Sequence, residues 1–349
     1  MMPVAEHKVV YLNHMHDLLK AMKEDIAILI TAPPGWGKTY RLLSAIKETN
    51  IKVCFVFPLR ALCEEIYLSA LKMNISVLNI RSLSDYQTLQ WSHSHLILTT
   101  PETLVTEFFV EKEYVFILDE LHLFFYWGDS FRYKMQESYF DILSTSCALI
   151  LLTATLEQSL KERLVRELEV NYRFFYHMNI GNHQLKNLPS KIYFYPKKLK
   201  RWLKDDFFIK SHQGTTLIFC RYRNEVREIV SQLRKRDYSV LGCVGGEALD
   251  FTQELQRQQF VDYIVATSVI SHGVNLPEIR VIYMTFKVEN YDFYLQMVGR
   301  GGRSGGKFDL HTFNHEYFKW EDLLFGFLRT LLKRFSNRVY SLLYCFYEN

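Results

Sequence analysis

Two short stretches of this 349-residue chain combine residue types at spacings that can do chemistry. Residues 31–39 read TAPPGWGKT, after the apolar run AILI and before the amphipathic YRLLSAIK. A strand, a tight loop and a helix in that order present consecutive backbone N–H groups at a helix N-terminus, where the helix dipole favours anions. Pro34, Gly35 and Gly37 shape such a loop, the Lys38 ammonium can reach the outer phosphates of a nucleoside triphosphate, and the Thr39 hydroxyl can ligate magnesium. Ala32 stands where the phosphate-loop pattern has its first glycine, and Trp36 is bulky for its position. The second stretch, residues 115–122, reads VFILDELH, an apolar strand ending in adjacent carboxylates. Side chains alternate along a strand, so the two carboxylates can take different tasks. Asp119 would hold the magnesium through water, and Glu120 would orient and deprotonate an attacking water. Alone, such a pair more often opens a solvated loop; the phosphate loop upstream is what gives it chemistry.

These groups must be brought together by a scaffold, and the hydropathy pattern predicts one. Apolar runs at 27–30, 53–57, 96–99, 115–118 and 148–152 alternate with amphipathic stretches such as 41–47 and 62–71, the signature of buried parallel strands joined by helices. A second series follows at 216–219, 239–243, 263–266 and 281–284. The pattern predicts an α/β chain of two tandem modules, each a mainly parallel sheet flanked by helices, with domains at 1–180 and 190–310. Residues 186–210 hold eight basic and two acidic residues, a candidate boundary that reads first as a solvated face and second as a track for a polyanion. A helical extension is expected at 311–349: Arg329, Lys333, Arg334 and Arg338 recur beside Phe325, Leu328, Leu332, Phe335 and Val339, an amphipathic pattern that reads first as packing on the second module and second as a contact for nucleic acid or a partner.

Composition narrows the class further. Hydrophobic residues make up 48% and charged residues 23%, which excludes a disordered or fibrous chain, while a net charge of +4 neither demands nor excludes a polyanionic partner. The six cysteines (Cys54, Cys63, Cys147, Cys220, Cys243 and Cys345) show no zinc-knuckle or CxxC spacing and read as reduced core residues. No basic-then-apolar leader opens the sequence, and no uncharged apolar run reaches the roughly 18 residues that span a bilayer. The expectation is a cytoplasmic protein, or one of another reducing compartment, without a structural metal.

Taken in order, the motifs resemble those of superfamily 2 helicases, whose core is two RecA-like P-loop NTPase domains. TAPPGWGKT and DELH are similar to motifs I and II, the latter in its DExH form. PLRAL at 58–62 resembles motif Ia, TTPETL at 99–104 motif Ib, and TAT at 153–155 motif III. LIFCRYRN at 217–224 resembles motif IV, residues 244–246 fall at the family's glycine-rich turn, ATSVISHGVNLP at 266–277 is similar to motif V, and QMVGRGGR at 296–303 to motif VI. The resemblance implies ATP and Mg2+ as cofactors, with single-stranded or partly duplex DNA or RNA as partner. It carries backbone-gripping roles onto Arg60, Thr100, Arg221, Thr267 and Gln296, and nucleotide contacts onto Gly273 and Gln296. Arg300 and Arg303 become arginine fingers for the γ-phosphate, a device that contributes about 10³ to 10⁵ in rate.

GVNLP, YLQMVGRGGR and DELHLF bring the chain nearest to the superkiller-like branch of that superfamily. That branch carries further domains after motif VI, so the short remainder here implies a minimal or truncated core, with the wedge and ratchet either missing or supplied by an accessory protein. The family often reads adenine with a glutamine upstream of motif I; YLNHMHDLLKAM has none, which leaves strictness for ATP open. Gly302 stands for the usual alanine, a small-for-small change expected to cost little beyond backbone stiffness. Two alternatives to a helicase stay open: a translocase or remodeller in a defence or recombination complex, and an inactive nucleotide-binding scaffold. Lys38, Asp119, Glu120 and Arg303 argue against the scaffold.

Overall fold

Short aliphatic runs set the strands of both sheets, because a strand covered on both faces can carry apolar side chains at every position. The computed structural model describes residues 12–22, 25–49, 51–87, 94–110, 114–145, 147–196, 214–271 and 274–347, and the chain divides into two units, 1–184 and 185–349.

In the first unit the order is α1 (Leu12–Ala21), β1 (Ile26–Thr31), α2 (Lys38–Thr49), β2 (Val53–Val56), α3 (Arg60–Lys72), β3 (Val77–Asn79), β4 (Leu96–Thr99) and α4 (Glu107–Val110). It continues with β5 (Val115–Leu118), α5 (Leu121–Tyr126), α6 (Tyr133–Ser144), β6 (Leu149–Thr153), α7 (Gln158–Asn171) and β7 (Phe174–Asn179). The sheet order is β3-β4-β2-β5-β6-β1-β7, and neighbours run parallel. Register places Thr31 opposite both Thr153 and Asn179, and Leu118 opposite Leu151. The C-terminal ends of β1, β5, β6 and β7 therefore share one edge, which is where a parallel sheet can gather loops from distant sequence. One face buries Ile28, Ile30, Phe55, Ile117, Ile150 and Leu152 under α1, α2 and α3 side chains such as Leu19, Leu42 and Cys63.

The second unit runs β8 (Lys191–Phe194), β9 (Thr215–Phe219), α8 (Arg223–Arg234), β10 (Val240–Cys243), α9 (Ala248–Arg257), β11 (Tyr263–Ala266), β12 (Ile279–Met284), α10 (Tyr291–Val298), β13 (Asp309–Thr312) and α11 (Trp320–Tyr347). Its sheet order is β10-β11-β9-β12-β13-β8, again parallel. Two tandem α/β modules with parallel sheets are thus present, as the pattern predicts. Four strands, β3, β7, β8 and β13, are absent from the hydropathy reading. Residues 197–210 of the basic stretch lie outside the described residues; the stretch begins within the second unit, where Lys191 opens β8.

The tail helix forms and packs on the second unit, but through the opposite side from the one its hydropathy suggests. A Cβ at Gly326 would lie 2.4 Å from Phe194 Cδ2 and 3.0 Å from the Ile192 carbonyl oxygen, so α11 crosses β8 in near backbone contact. Thr330 is buried one turn on, and the Lys333 ammonium sits 5.1 Å from the Tyr193 ring centroid. The expected packing residues Phe325, Leu328, Leu332 and Phe335 are instead exposed, because a glycine contact of this closeness turns the helix's bulky stripe outward. Val339 and Arg338 lie beyond the residues whose side chains are described. Among the described residues no helix is long and apolar enough to cross a membrane, and no group of three or more His, Cys, Asp and Glu could hold a metal ion. Cys54, Cys63, Cys147, Cys220 and Cys243 are buried free thiols.

Candidate active site

The chain leaves β1 at Thr31 and turns through 32–37 into α2. Gly35 and Gly37 take φ of 76° and 88°, a left-handed conformation that costs glycine little. A Cβ at Gly37 would meet nothing within 4 Å, so backbone conformation rather than space selects glycine there. Pro34 is buried, and Trp36 packs against the first unit's core with the Arg41 guanidinium 4.4 Å from its ring centroid. The bulk of Trp36 is thereby accommodated beneath a cation rather than in the loop's mouth. Lys38 is 9% exposed and its Nζ donates to the Ala32 carbonyl oxygen at 3.0 Å, which folds the ammonium over the loop.

Asp119, at the end of β5, meets this loop from across the sheet edge. Thr39 Oγ1 donates to Asp119 Oδ2 at 3.4 Å, and Asp119 Oδ1 accepts the Glu120 N–H at 2.9 Å. Burial, with help from the Glu120 charge and against the pull of Lys38, pushes the Asp119 carboxyl up from 3.8 to about 7. Burial is the larger cause and the Glu120 charge the second, and a divalent cation beside this carboxyl would favour its ionised form. Glu120 sits at φ 49°, ψ 48°, a left-handed conformation that costs a non-glycine residue about 1–2 kcal/mol. Its Oε2 is buried without a hydrogen-bond partner among the described residues, 3.7 Å from His122 Nδ1.

His122 is fully buried and its Nδ1 lies 3.0 Å from Thr153 Oγ1. The Thr153 hydroxyl gives its one proton to the Thr155 carbonyl oxygen at 2.6 Å, so His122 must be the donor, with its proton on Nδ1. The Ala32 N–H donates to the Thr153 carbonyl oxygen at 3.1 Å, joining the phosphate loop to the same turn.

The strand-gripping candidates of the first unit are already engaged. Arg60 donates to the Ile80 and Arg81 carbonyl oxygens, both at 2.8 Å, and Thr100 is buried with its hydroxyl 3.3 Å from Thr103 Oγ1. Sequence reasoning passed over Arg132, which ties two motif loops together. Its Nη1 donates to the Pro58 carbonyl oxygen at 2.6 Å, while Nη2 and Nε donate to Glu102 Oε1 at 2.6 and 3.2 Å. Burial would raise the Glu102 carboxyl, but the Arg132 hydrogen bonds and charge outweigh it and hold the group below its ordinary value. Phe131 and Tyr133 flank Arg132 and are each 64% exposed. The visible signal was an arginine set among Trp127, Phe131 and Tyr133 in the segment that follows DELH.

In the second unit Arg221 is exposed beside the Tyr222 ring, at 5.7 Å, and Thr267 is half-buried with its N–H donating to the Cys243 carbonyl oxygen at 3.1 Å. Gln296 and Arg300 are buried; Arg300 Nη1 donates to the Val274 carbonyl oxygen. Arg303 is half-buried and its Nε donates to the Gly299 carbonyl oxygen at 3.2 Å. Gly273 lies outside the described residues. Gly302 corrects the small-for-small expectation: at φ 57° a Cβ would lie 2.2 Å from the Gly306 carbonyl oxygen, so glycine is required. The structure thus brings Lys38, Thr39, Asp119 and Glu120 together with Pro34, Gly35 and Gly37 in the first unit, and sets Gln296, Arg300 and Arg303 on and just after α10 in the second.

Comparison with known proteins agrees with this layout. Residues 14–163 match the DEAD/DEAH box helicase family, and residues 197–305 match the helicase conserved C-terminal domain. The chain is 25% identical over 335 residues to the ATP-dependent DNA helicase Q-like 4B of Arabidopsis thaliana, covering 86% of this chain and 28% of that protein. It is 25% identical over 337 residues to the ATP-dependent RNA helicase DBP3 of Kluyveromyces lactis, covering 84% and 63%. The chain therefore spans between about a quarter and two thirds of the length of these relatives. Among solved structures, Mss116p bound to ssRNA and AMP-PNP superposes with a TM-score of 0.62 at 17% identity, covering 84% of this chain and 67% of that one. That likeness is one of fold: two tandem RecA-like domains.

Proposed function

We propose that this chain, which carries the DEAD/DEAH-box and C-terminal domains of a superfamily 2 helicase, is an ATP-dependent nucleic-acid motor that couples hydrolysis to translocation on, and unwinding of, DNA or RNA. One observation carries the reading: Lys38, Thr39, Asp119 and Glu120 converge at a single sheet edge around a glycine loop that opens a helix. Lys38 exchanges its bond to the Ala32 carbonyl for phosphate oxygens when ATP enters. Thr39 and Asp119, whose oxygens lie 3.4 Å apart, fit a magnesium ion, whose charge would favour the ionised form of the buried Asp119 carboxyl. When bound, magnesium supplies charge neutralisation on the phosphate oxygens. Glu120 orients the attacking water and takes its proton, while Arg300 and Arg303 stabilise charge on the γ-phosphate as hydrolysis proceeds.

Strand contact falls to the loops beginning at Pro58 and Thr99, which Arg132 holds together, and to Arg221, Thr267 and Gln296 of the second unit. Arg60 and Thr100 contribute by positioning those loops and through backbone groups. Contacts to the sugar–phosphate backbone suit a motor that must ignore sequence. The relatives are named for DNA or RNA and the solved neighbour holds ssRNA, which supports a single strand as the track. DELH supports the DExH type, and GVNLP with DELHLF is the ground for a superkiller-like branch, although the relatives named above are Q-like and DBP3 helicases. A translocase that does not separate strands uses the same site. Strand displacement on 3′-tailed, 5′-tailed and blunt duplexes separates the two: displacement with one polarity supports unwinding, and ATP turnover stimulated by single strands without displacement supports translocation alone.

A further inference from the structure

A turn outside all the motifs, at the end of β7, holds the first unit's two nucleotide-side loops in one hydrogen-bonded ring. Asn179 Oδ1 accepts from the Thr31 hydroxyl and from the Asn182 N–H, both at 3.1 Å. Asn182 then spends both ends of its side-chain amide on one residue. Its Oδ1 accepts the Leu156 N–H at 2.8 Å, and its Nδ2 donates to the Leu156 carbonyl oxygen at 2.9 Å. Only this orientation of the amide works, since the reverse would set donor against donor and acceptor against acceptor. Thr31 is the root of the phosphate loop, and Leu156 directly follows the 153–155 turn. The Ala32 N–H, donating to the Thr153 carbonyl oxygen at 3.1 Å, closes the ring. From Thr153 the chain of contacts continues to His122 at 3.0 Å and from there to Glu120 at 3.7 Å. Gly181 lies within the turn, where a Cβ would come 3.0 Å from Pro33 Cγ, so the turn rests on the phosphate loop itself. The first unit ends at Gln184, two residues past Asn182.

We propose that Asn182 is a positioning residue that couples strand binding to ATP hydrolysis, by fixing the 153–156 turn against the phosphate loop at the segment through which the chain leaves the first unit. The proposal rests on the motor reading above and adds regulation to the same site. A two-point clamp resists both rotation and sliding of Leu156, whereas a single hydrogen bond resists only separation. A pull on the exit segment is therefore felt at Thr153, His122 and Glu120 rather than absorbed in a slack loop. The role differs from that of a fold-stabilising asparagine in its signature, because positioning changes the rate of the strand-bound state and leaves nucleotide affinity alone.

The test compares the full chain with Asn182→Ala and Asn182→Asp, measuring ATP turnover with and without a single-stranded oligonucleotide, KM for ATP, and the thermal midpoint. Alanine loses both bonds; aspartate keeps the Leu156 N–H bond and turns its second oxygen toward the Leu156 carbonyl. The expected result is a strand-stimulated kcat lowered about tenfold in Asn182→Ala and by at least as much in Asn182→Asp, with KM for ATP held within about twofold. An unchanged stimulated kcat in Asn182→Ala overturns the proposal. So does a parallel loss of unstimulated rate, stimulated rate and thermal midpoint in both variants, which marks a purely structural clamp. A wild-type chain that strands do not stimulate overturns the motor reading and this proposal with it, whereas a stimulated wild type matched by Asn182→Ala overturns the coupling role alone.

Discussion

Replacing Asp119 with asparagine tests whether the buried carboxylate is kept for a cation at the expense of the fold. Its folded-state value, raised from 3.8 to about 7 by burial first and Glu120 second, lies about three units above the ordinary one. At about 1.4 kcal/mol per unit, ionised Asp119 costs the metal-free protein up to about 4 kcal/mol relative to a neutral side chain. The sign follows from proton counting. Between about pH 4 and about pH 7 the folded state holds a proton on Asp119 that the unfolded state has lost, so this group's contribution to stability falls as pH rises through that window and stays low above it. Asparagine is neutral throughout and retains an acceptor for the Glu120 N–H. Thermal melts in a chelator should show Asp119→Asn melting several degrees above wild type at about pH 8, with the gap closing toward about pH 4. Magnesium with a non-hydrolysable ATP analogue should then raise the wild type more than the variant. A variant that melts below wild type at high pH without metal, or equal stabilisation of both by magnesium and nucleotide, would refute the reasoning.

Two further substitutions address the loops and the tail. Arg132→Ala removes charged hydrogen bonds to Pro58 and Glu102 and should lower strand-stimulated turnover about tenfold while leaving KM for ATP near wild type; full stimulation would show that the two loops keep their places unaided. Gly326→Val drives a side chain into Phe194 and should cost about 1–3 kcal/mol in denaturant unfolding of the second unit, and an unchanged midpoint would contradict the packing of α11 on β8.

What could be read in advance follows a physical line. Strands covered on both faces, such as β2 and β5, are unbroken apolar runs and stand out. The edge strand β7 alternates exposed and buried residues, and β3 is only three residues long, so neither makes a run. In β13 the obstacle is a buried polar group: His311 lies between the Tyr193 and Tyr283 rings, at 4.3 and 4.1 Å, with the Tyr195 hydroxyl 2.7 Å from its Nδ1. Hydropathy scores that histidine as surface, although rings from two neighbouring strands enclose it. The tail misled for a related reason, since Gly326 packs by the closeness of its backbone and contributes nothing to an apolar stripe. At the site, Lys38, Thr39, Asp119 and Glu120 were legible because their backbone contexts, strand–loop–helix and strand end, are written locally. Arg132 and Asn182 act on Pro58, Glu102 and Leu156, residues that topology alone brings near.

The most direct test of the motor reading is steady-state ATP turnover by wild type and Glu120→Gln, measured at one salt concentration without nucleic acid and with single-stranded DNA, single-stranded RNA or duplex. The account predicts that at least one single strand stimulates the wild type, and that Glu120→Gln binds nucleotide with magnesium yet loses turnover by about a hundredfold or more. Turnover in Glu120→Gln equal to that of wild type, or a wild-type rate indifferent to every nucleic acid, would contradict it.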